Sequence, residues 1–202
     1  GASPASVRRP GPAPALAGVR ALAVATAAGA LGRPSLFGLV SRLPGLGLGE
    51  THYRTPGSVY ALPVASAGLA LETEEPSHTE AAHRRTAAAQ LTRALAGVSS
   101  LQVCTPIPGS DPGYLRLPAL VTGGSGRIDD ARWDRLKVLG VRVGYPRVLS
   151  ELEAVRPLRL DGERSFPGAQ RLVEELVTLP THSLAPPVDP AELERLCSLN
   201  GP

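Results

Sequence analysis

Residues 165–196 read SFPGAQRLVEELVTLPTHSLAPPVDPAELERL, two helix-like phrases with LPTHS set between them. In the first phrase Phe166, Ala169, Leu172, Val173 and Leu176 recur at helical spacing. Pro180 excludes the residue before it from helical dihedrals, so a helix is expected to run up to the proline and stop. In the second phrase Asp189 is placed to cap a first turn, Pro190 supplies a preset φ, and Glu192 sets a carboxylate at the positive end of the helix. LPTHSLAPPV is then an extended crossing from one helix to the next.

Working upstream, the hydrophobic period changes from three-to-four to two. SLQVCTP and YLRLPALV flank the turn IPGSDPG, and Tyr114, Arg116 and Pro118 alternate with Leu115, Leu117 and Ala119, which predicts two neighbouring strands. GGSGR is a flexible turn. IDDARWDRLKVLG predicts a helix with Asp129 or Asp130 as its N-cap and Gly140 just past its end, and VRVGYP a third short strand. Ser77 and Glu80 form an S-x-x-E capping box ahead of EAAHRRTAAAQLTRALAG, a one-sided helix with Ala81, Ala88, Leu91 and Leu95 near one stripe and Gly97 at its end. VYALPVASAGLALET predicts a packed helix starting near Pro63, its small residues allowing another backbone close. LAGVRALAVATAAGALG predicts a helix ending near Gly32, and RPSLFGLVSRLPGLGLGE a short apolar helix bracketed by Pro34 and Pro44. GLGLGE follows no clear strand and lacks the residues that complete a phosphate loop, so it reads as a glycine-rich turn. Together these elements predict an α/β fold, a short few-stranded sheet covered by helices.

Composition narrows the function classes. The chain has 202 residues, enough for one domain or one and a half. Its apolar letters are mostly Ala, Val and Leu; aromatics make up 3%, Met is absent, and Lys137 is the only lysine. Ala, Arg, Gly and Pro rise together without a repeat, as GC-rich coding produces. The net charge is +3, and the arginines are scattered among carboxylates rather than gathered in an aromatic-flanked stripe, which argues against nucleic acid. Cys104 and Cys197 have no zinc-site spacing, a disulfide between them is open, and a reducing, cytoplasmic setting is the default. The apolar stretch 13–31 is interrupted by Arg20 and built mainly of Ala and Gly, so it reads as a soluble helix rather than a membrane or signal segment. The opening GASPASVRRPGPAPA starts on Gly and has nothing to pack, as in a fragment or a trimmed chain. His78 and His83, five apart on a helix, do not converge on a metal, and no hydrolase constellation stands out.

The stretch FPGAQRLVEELVTLPTHS followed by a short polar crossing and a final helix resembles the C-terminal end of the DegT/DnrJ/StrS-type sugar aminotransferases, pyridoxal-phosphate enzymes of the fold-type I class. The resemblance continues in order upstream through RLKVLGVRVGYPRVLSELEAV, YLRLPALV and EAAHRRTAAAQLTRALAG, and covers the chain from about Gly49 onward. It implies a small C-terminal α/β domain over 49–202, preceded over 1–48 by a disordered start and helices connecting to a large domain. In the family the cofactor-bearing lysine and the acid paired with the pyridinium nitrogen lie upstream of everything matched here. Lys137, within the RLKVLG helix, reads as a solvated surface lysine. GSVYALP occupies the place of the family's G-x-N-Y-R-L-P phrase; Tyr60, Leu62 and Pro63 are kept, while Val59 and Ala61 stand where Asn and Arg are usual.

The resemblance implies part of an enzyme that uses pyridoxal 5'-phosphate to pass an amine, commonly from glutamate, to a nucleotide-linked keto-sugar in polysaccharide or surface-glycan assembly. It implies a homodimer, and a chain that alone should not transaminate. Tyr60 is the candidate cofactor contact. Arg116, Tyr145, Arg147 and His182 are the candidate substrate contacts, three of them with a plainer reading beside them: a surface ion pair for Arg116, half-buried packing for Tyr145, a structural role such as a helix-end cap for His182. No residue of the chain is assigned a catalytic or metal-binding role. The reading from another class is a non-catalytic α/β binding or oligomerisation module.

Overall fold

The computed structural model describes residues 11–31, 60–160, 162 and 164–198. The short helix expected between Pro34 and Pro44, the GLGLGE turn and Val59 lie outside them. The chain divides into two compact units, Gly1–Pro76 and Ser77–Pro202.

In the first unit, helices α1 (Ala17–Leu31) and α2 (Val64–Glu72) pack through small residues: a Cβ on Gly18 would lie 3.5 Å from that of Ala65. Ala61 N–H donates to the Gly11 carbonyl at 2.8 Å beside a parallel bridge between Gly11 and Tyr60. The α2 sequence was expected to be a packed helix, but none of its residues is buried. Its small side chains permit close approach without supplying apolar area to cover.

Helix α3 (Glu74–Ala94) overturns the expected capping box. Ser77 sits inside the helix, which opens with Glu74, Glu75 and Pro76; two carboxylates at the positive end and a proline that needs no donor suit a first turn. Glu80 does not reach back to a cap. Its carboxylate takes Arg84 Nε at 3.0 Å and the backbone N–H of Ser183 at 3.2 Å. The predicted apolar stripe is present: Ala88 and Leu95 are buried, and Leu91 packs beside them.

Strands β1 (Leu101–Val103), β2 (Arg116–Val121), β3 (Arg142–Val143) and β4 (Leu176–Pro180) form one antiparallel sheet in the order β1-β2-β4-β3. Leu176–Pro180 corrects the first expectation. Helix α5 (Pro167–Glu175) stops five residues before Pro180, and LVTLP becomes a central strand paired on both sides. All its residues but Thr178 are buried. A short apolar run at the end of an amphipathic helix fits either period, and the two sheet edges on offer decide for strand. Pro118 is tolerated within β2 because its backbone faces β1 where β1 has just ended; its carbonyl accepts Cys104 N–H at 3.0 Å.

Local chemistry fixes the remaining helices. In α4 (Asp130–Val138), Asp129 accepts the Arg132 N–H at 2.9 Å. At its other end Gly140, at φ +78°, donates to Lys137 O and Val141 donates to Leu136 O, a Schellman closure with both apolar partners buried. In α6 (Pro190–Cys197) Asp189 accepts the Ala191 N–H at 3.0 Å. The core of the second unit joins Leu117, Ala119, Val121, Val177 and Leu179 from one sheet face to Ala88 of α3, Leu95 in the 3-10 turn just past its end, Leu136 of α4, and Leu193 and Cys197 of α6. Both cysteines are free, and burial, with Glu194 adding to it, pushes the Cys197 thiol up to about 11.

Candidate functional site

The sheet face turned away from this core carries Arg116, Pro118, Thr178 and Arg142. Pro118 and Arg142 are the cross-strand partners of Thr178, and Arg116 follows the strand alternation from Pro118. Arg116 is half-buried. Its Nε donates to Thr178 Oγ1 at 2.7 Å, and its Nη2 to Thr178 O at 2.8 Å and to Gly140 O. The expected surface ion pair is not what holds it: among the described residues no carboxylate contacts its guanidinium. Desolvation first, and the charge of Arg142 second, push its pKa below the ordinary arginine range. Arg142 Nη1 donates to Lys137 O at 2.8 Å and Val141 O at 2.9 Å.

His182 follows Thr181, whose buried hydroxyl donates to Tyr114 O at 2.6 Å and holds that residue at φ +42°. Withdrawal of the His182 ring from water lowers its pKa; Glu80 opposes this, while Arg116, Arg84 and His83 reinforce it. The fold thus brings Arg116 and His182 within electrostatic reach of each other. His182 and His83 line a groove of about 360 Å3 between α3 and the extended crossing, together with Gln90, Ser183 and Val188.

The other candidates are placed differently. Tyr145, at 62% exposure, is not half-buried, and Arg147 is exposed in the same loop beyond β3. Tyr60 is 52% exposed in the first unit. Sequence reasoning missed Arg142 and Thr178; the signal available was their outward alternation on short strands, and β3, with two residues, is too short to show it.

The chain offers pyridoxal phosphate no lysine suited to carry it. Lys137, its only lysine, is exposed on α4 and paired with Asp134 at 2.9 Å. No cluster of three or more metal-ligating side chains occurs among the described residues, and none of their helices is long and apolar enough to cross a membrane.

No protein-family model matches the sequence, and no curated protein matches it. Solved structures do match the fold. The aminotransferase TlmJ from Streptoalloteichus hindustanus is 23% identical, with a TM-score of 0.51 over 64% of this chain and 35% of its own. DesV from S. venezuelae, solved in complex with a ketimine intermediate, is 17% identical, with a TM-score of 0.56 over 80% of this chain and 43% of its own. A DegT DnrJ EryC1 StrS aminotransferase from Brucella abortus is 18% identical, with a TM-score of 0.53 over 81% and 43%. Further matches include a putative sugar aminotransferase in PLP- and PMP-forms and an enzyme solved with its TDP-sugar product. The chain spans less than half the length of each of these three enzymes, and at such identities the likeness establishes a shared fold.

Proposed function

We propose that the chain is the C-terminal part of a pyridoxal-phosphate-dependent aminotransferase that delivers an amine to a nucleotide-linked keto-sugar for polysaccharide or surface-glycan assembly. The observation that carries this reading is the agreement of the ordered sequence phrases with the fold. The phrases that resemble DegT/DnrJ/StrS-type enzymes succeed one another from YLRLPALV to FPGAQRLVEELVTLPTHS, and the fold they build is shared with a portion of solved aminotransferases, a putative sugar aminotransferase among them.

The cofactor, when bound, would accept the donor's amine and give it up to the sugar ketone. Its lysine would belong to the part of the protein outside this chain. The residues here would form a wall: Arg116 and Arg142 set positive charge on the sheet face away from the core, Thr178 orients Arg116, and burial disfavours the charged form of His182. Tyr145 and Arg147 would contact substrate from the loop beyond β3, Tyr60 would contact the cofactor, and two protomers would complete the sites in a cytoplasmic homodimer.

The test is to express the complete reading frame that contains this chain and supply it with glutamate, pyridoxal phosphate and a nucleotide-linked keto-sugar. Amine transfer, with borohydride fixing the cofactor onto a lysine other than Lys137, is the expected result. A complete protein that neither binds the cofactor nor transfers an amine would favour the non-catalytic binding or oligomerisation module.

A further inference from the structure

His182 is fixed on both sides by contacts that lie far away in sequence. On one side Thr181, fully buried, donates its hydroxyl to Tyr114 O at 2.6 Å, with Leu115 O a second acceptor at 3.3 Å. On the other, the Ser183 backbone N–H donates to the Glu80 carboxylate of α3 at 3.2 Å. The His182 carbonyl itself accepts the Ala185 N–H at 2.9 Å and closes a turn. The residue is thereby tied at once to α3 and to the stretch that leads into β2.

Both anchors carry a hydrogen bond that packing alone does not require. A valine would fill the space of Thr181 almost identically, so what the threonine adds at this buried position is its hydroxyl bond. That bond holds Tyr114 at φ +42°, a left-handed conformation that an L-residue takes only at a cost. Glu80 already has Arg84 Nε at 3.0 Å, and still accepts the Ser183 amide. The His182 side chain lines the groove between α3 and the crossing together with His83. The charged and titratable groups that face it are Glu80, His83 and Arg84 from α3 and Arg116 from β2. We propose that Thr181 and Glu80 are positioning residues that hold the His182 imidazole in the wall of this groove. An imidazole in its neutral form offers one donor and one acceptor there, and its direction is set by the two neighbours rather than by its own side-chain bonds. Any part that His182 plays towards substrate rests on the function proposed above; the placement of the ring does not.

The imidazole titration of His182, followed by proton NMR in the full chain and assigned among its four histidines by the signal lost in His182→Gln, tests the assignment. Burial is the main cause that lowers His182, and Glu80 is the one group that raises it, so the two anchors have opposite signatures. Thr181→Val keeps the bulk but releases the ring to water, and should raise the midpoint above that of the wild type. Thr181→Ser restores the hydroxyl and should bring the midpoint back. Glu80→Gln keeps an oxygen for the Ser183 amide but removes the charge, and should lower the midpoint. A general loosening of the fold would instead move Thr181→Val and Glu80→Gln upward together. The proposal is overturned by a midpoint that stays in place in Thr181→Val, by one that does not fall in Glu80→Gln, or by a serine variant that behaves like the valine variant. Thr181→Ala takes the place of Thr181→Val if the latter does not fold. Because the assay needs no substrate, cofactor or turnover, its failure is separable from failure of the proposed function.

Discussion

At the scale of single residues, two glycines allow β3 to sit against β4. Gly140 holds φ +78°, and a Cβ there would come within 2.9 Å of the Pro180 ring; a Cβ on Gly144 would come within 2.6 Å of Leu176 Cδ2. Gly140→Ala is therefore expected to cost at least the roughly 1–2 kcal/mol of a left-handed L-residue, read as a lowered denaturation midpoint. His182 supplies a pH dependence. Its lowered pKa means that the unfolded chain takes up the proton more readily, so its contribution to stability is full above about pH 6.5 and declines as pH falls through that value towards the folded pKa. Glu80 and Glu194 act lower. Burial alone would raise Glu80, but hydrogen bonds from Ser183 and then Arg84 outweigh it, whereas the Ser99 hydroxyl is the main cause for Glu194. Both contributions are full above about pH 4.3 and are lost as pH falls towards the folded values. Thermal midpoints measured from pH 8 to about 5 should fall in the wild type and flatten in His182→Gln.

At the scale of elements, β4 is the strand on which the sheet depends, flanked by β2 and β3 and joined to α5 without a loop. Leu179 is fully buried within it. Leu179→Ala should destabilise the second unit by about 2–5 kcal/mol in denaturant titrations, the range for a buried leucine that leaves a cavity. Hydrogen exchange offers a second view: amides paired in β2–β4 should be the slowest, and those of α2, with no buried residue, among the fastest. If residues 176–180 exchanged like an exposed helix end, the sequence-period reading would be restored.

At the scale of the whole molecule, much apolar surface faces water. Leu16 and Val19 at the start of α1, Leu62 and Val64 at the start of α2, and Leu115 and Leu184 in the second unit are all mostly exposed. With a net charge of only +3 there is little repulsion to oppose association. The chain on its own is expected to self-associate, with a light-scattering mass that rises with concentration and a hydrophobic dye that binds. A monodisperse monomer that leaves the dye dark would show that these side chains are tolerated singly.

The sequence by itself determined the features whose cause is local. Asp129 and Asp189 cap the helices they precede, Gly140 closes one of them, and Ala88 and Leu91 of α3 with Leu95 just past its end form an inner stripe, because each needs only neighbours within a turn. The outward set of Arg116 was legible in the same way, from alternation along one strand. Tertiary structure decided the rest. LVTLP is a strand because two other strands present free edges to it, and Glu80 is drawn from a capping role to a backbone amide 103 residues away. Arg116 finds Thr178 across 62 residues and a second arginine on the far side of β4. Such pairings set which charges face each other, and a one-dimensional pattern carries no record of them because they arise only when distant strands share a sheet.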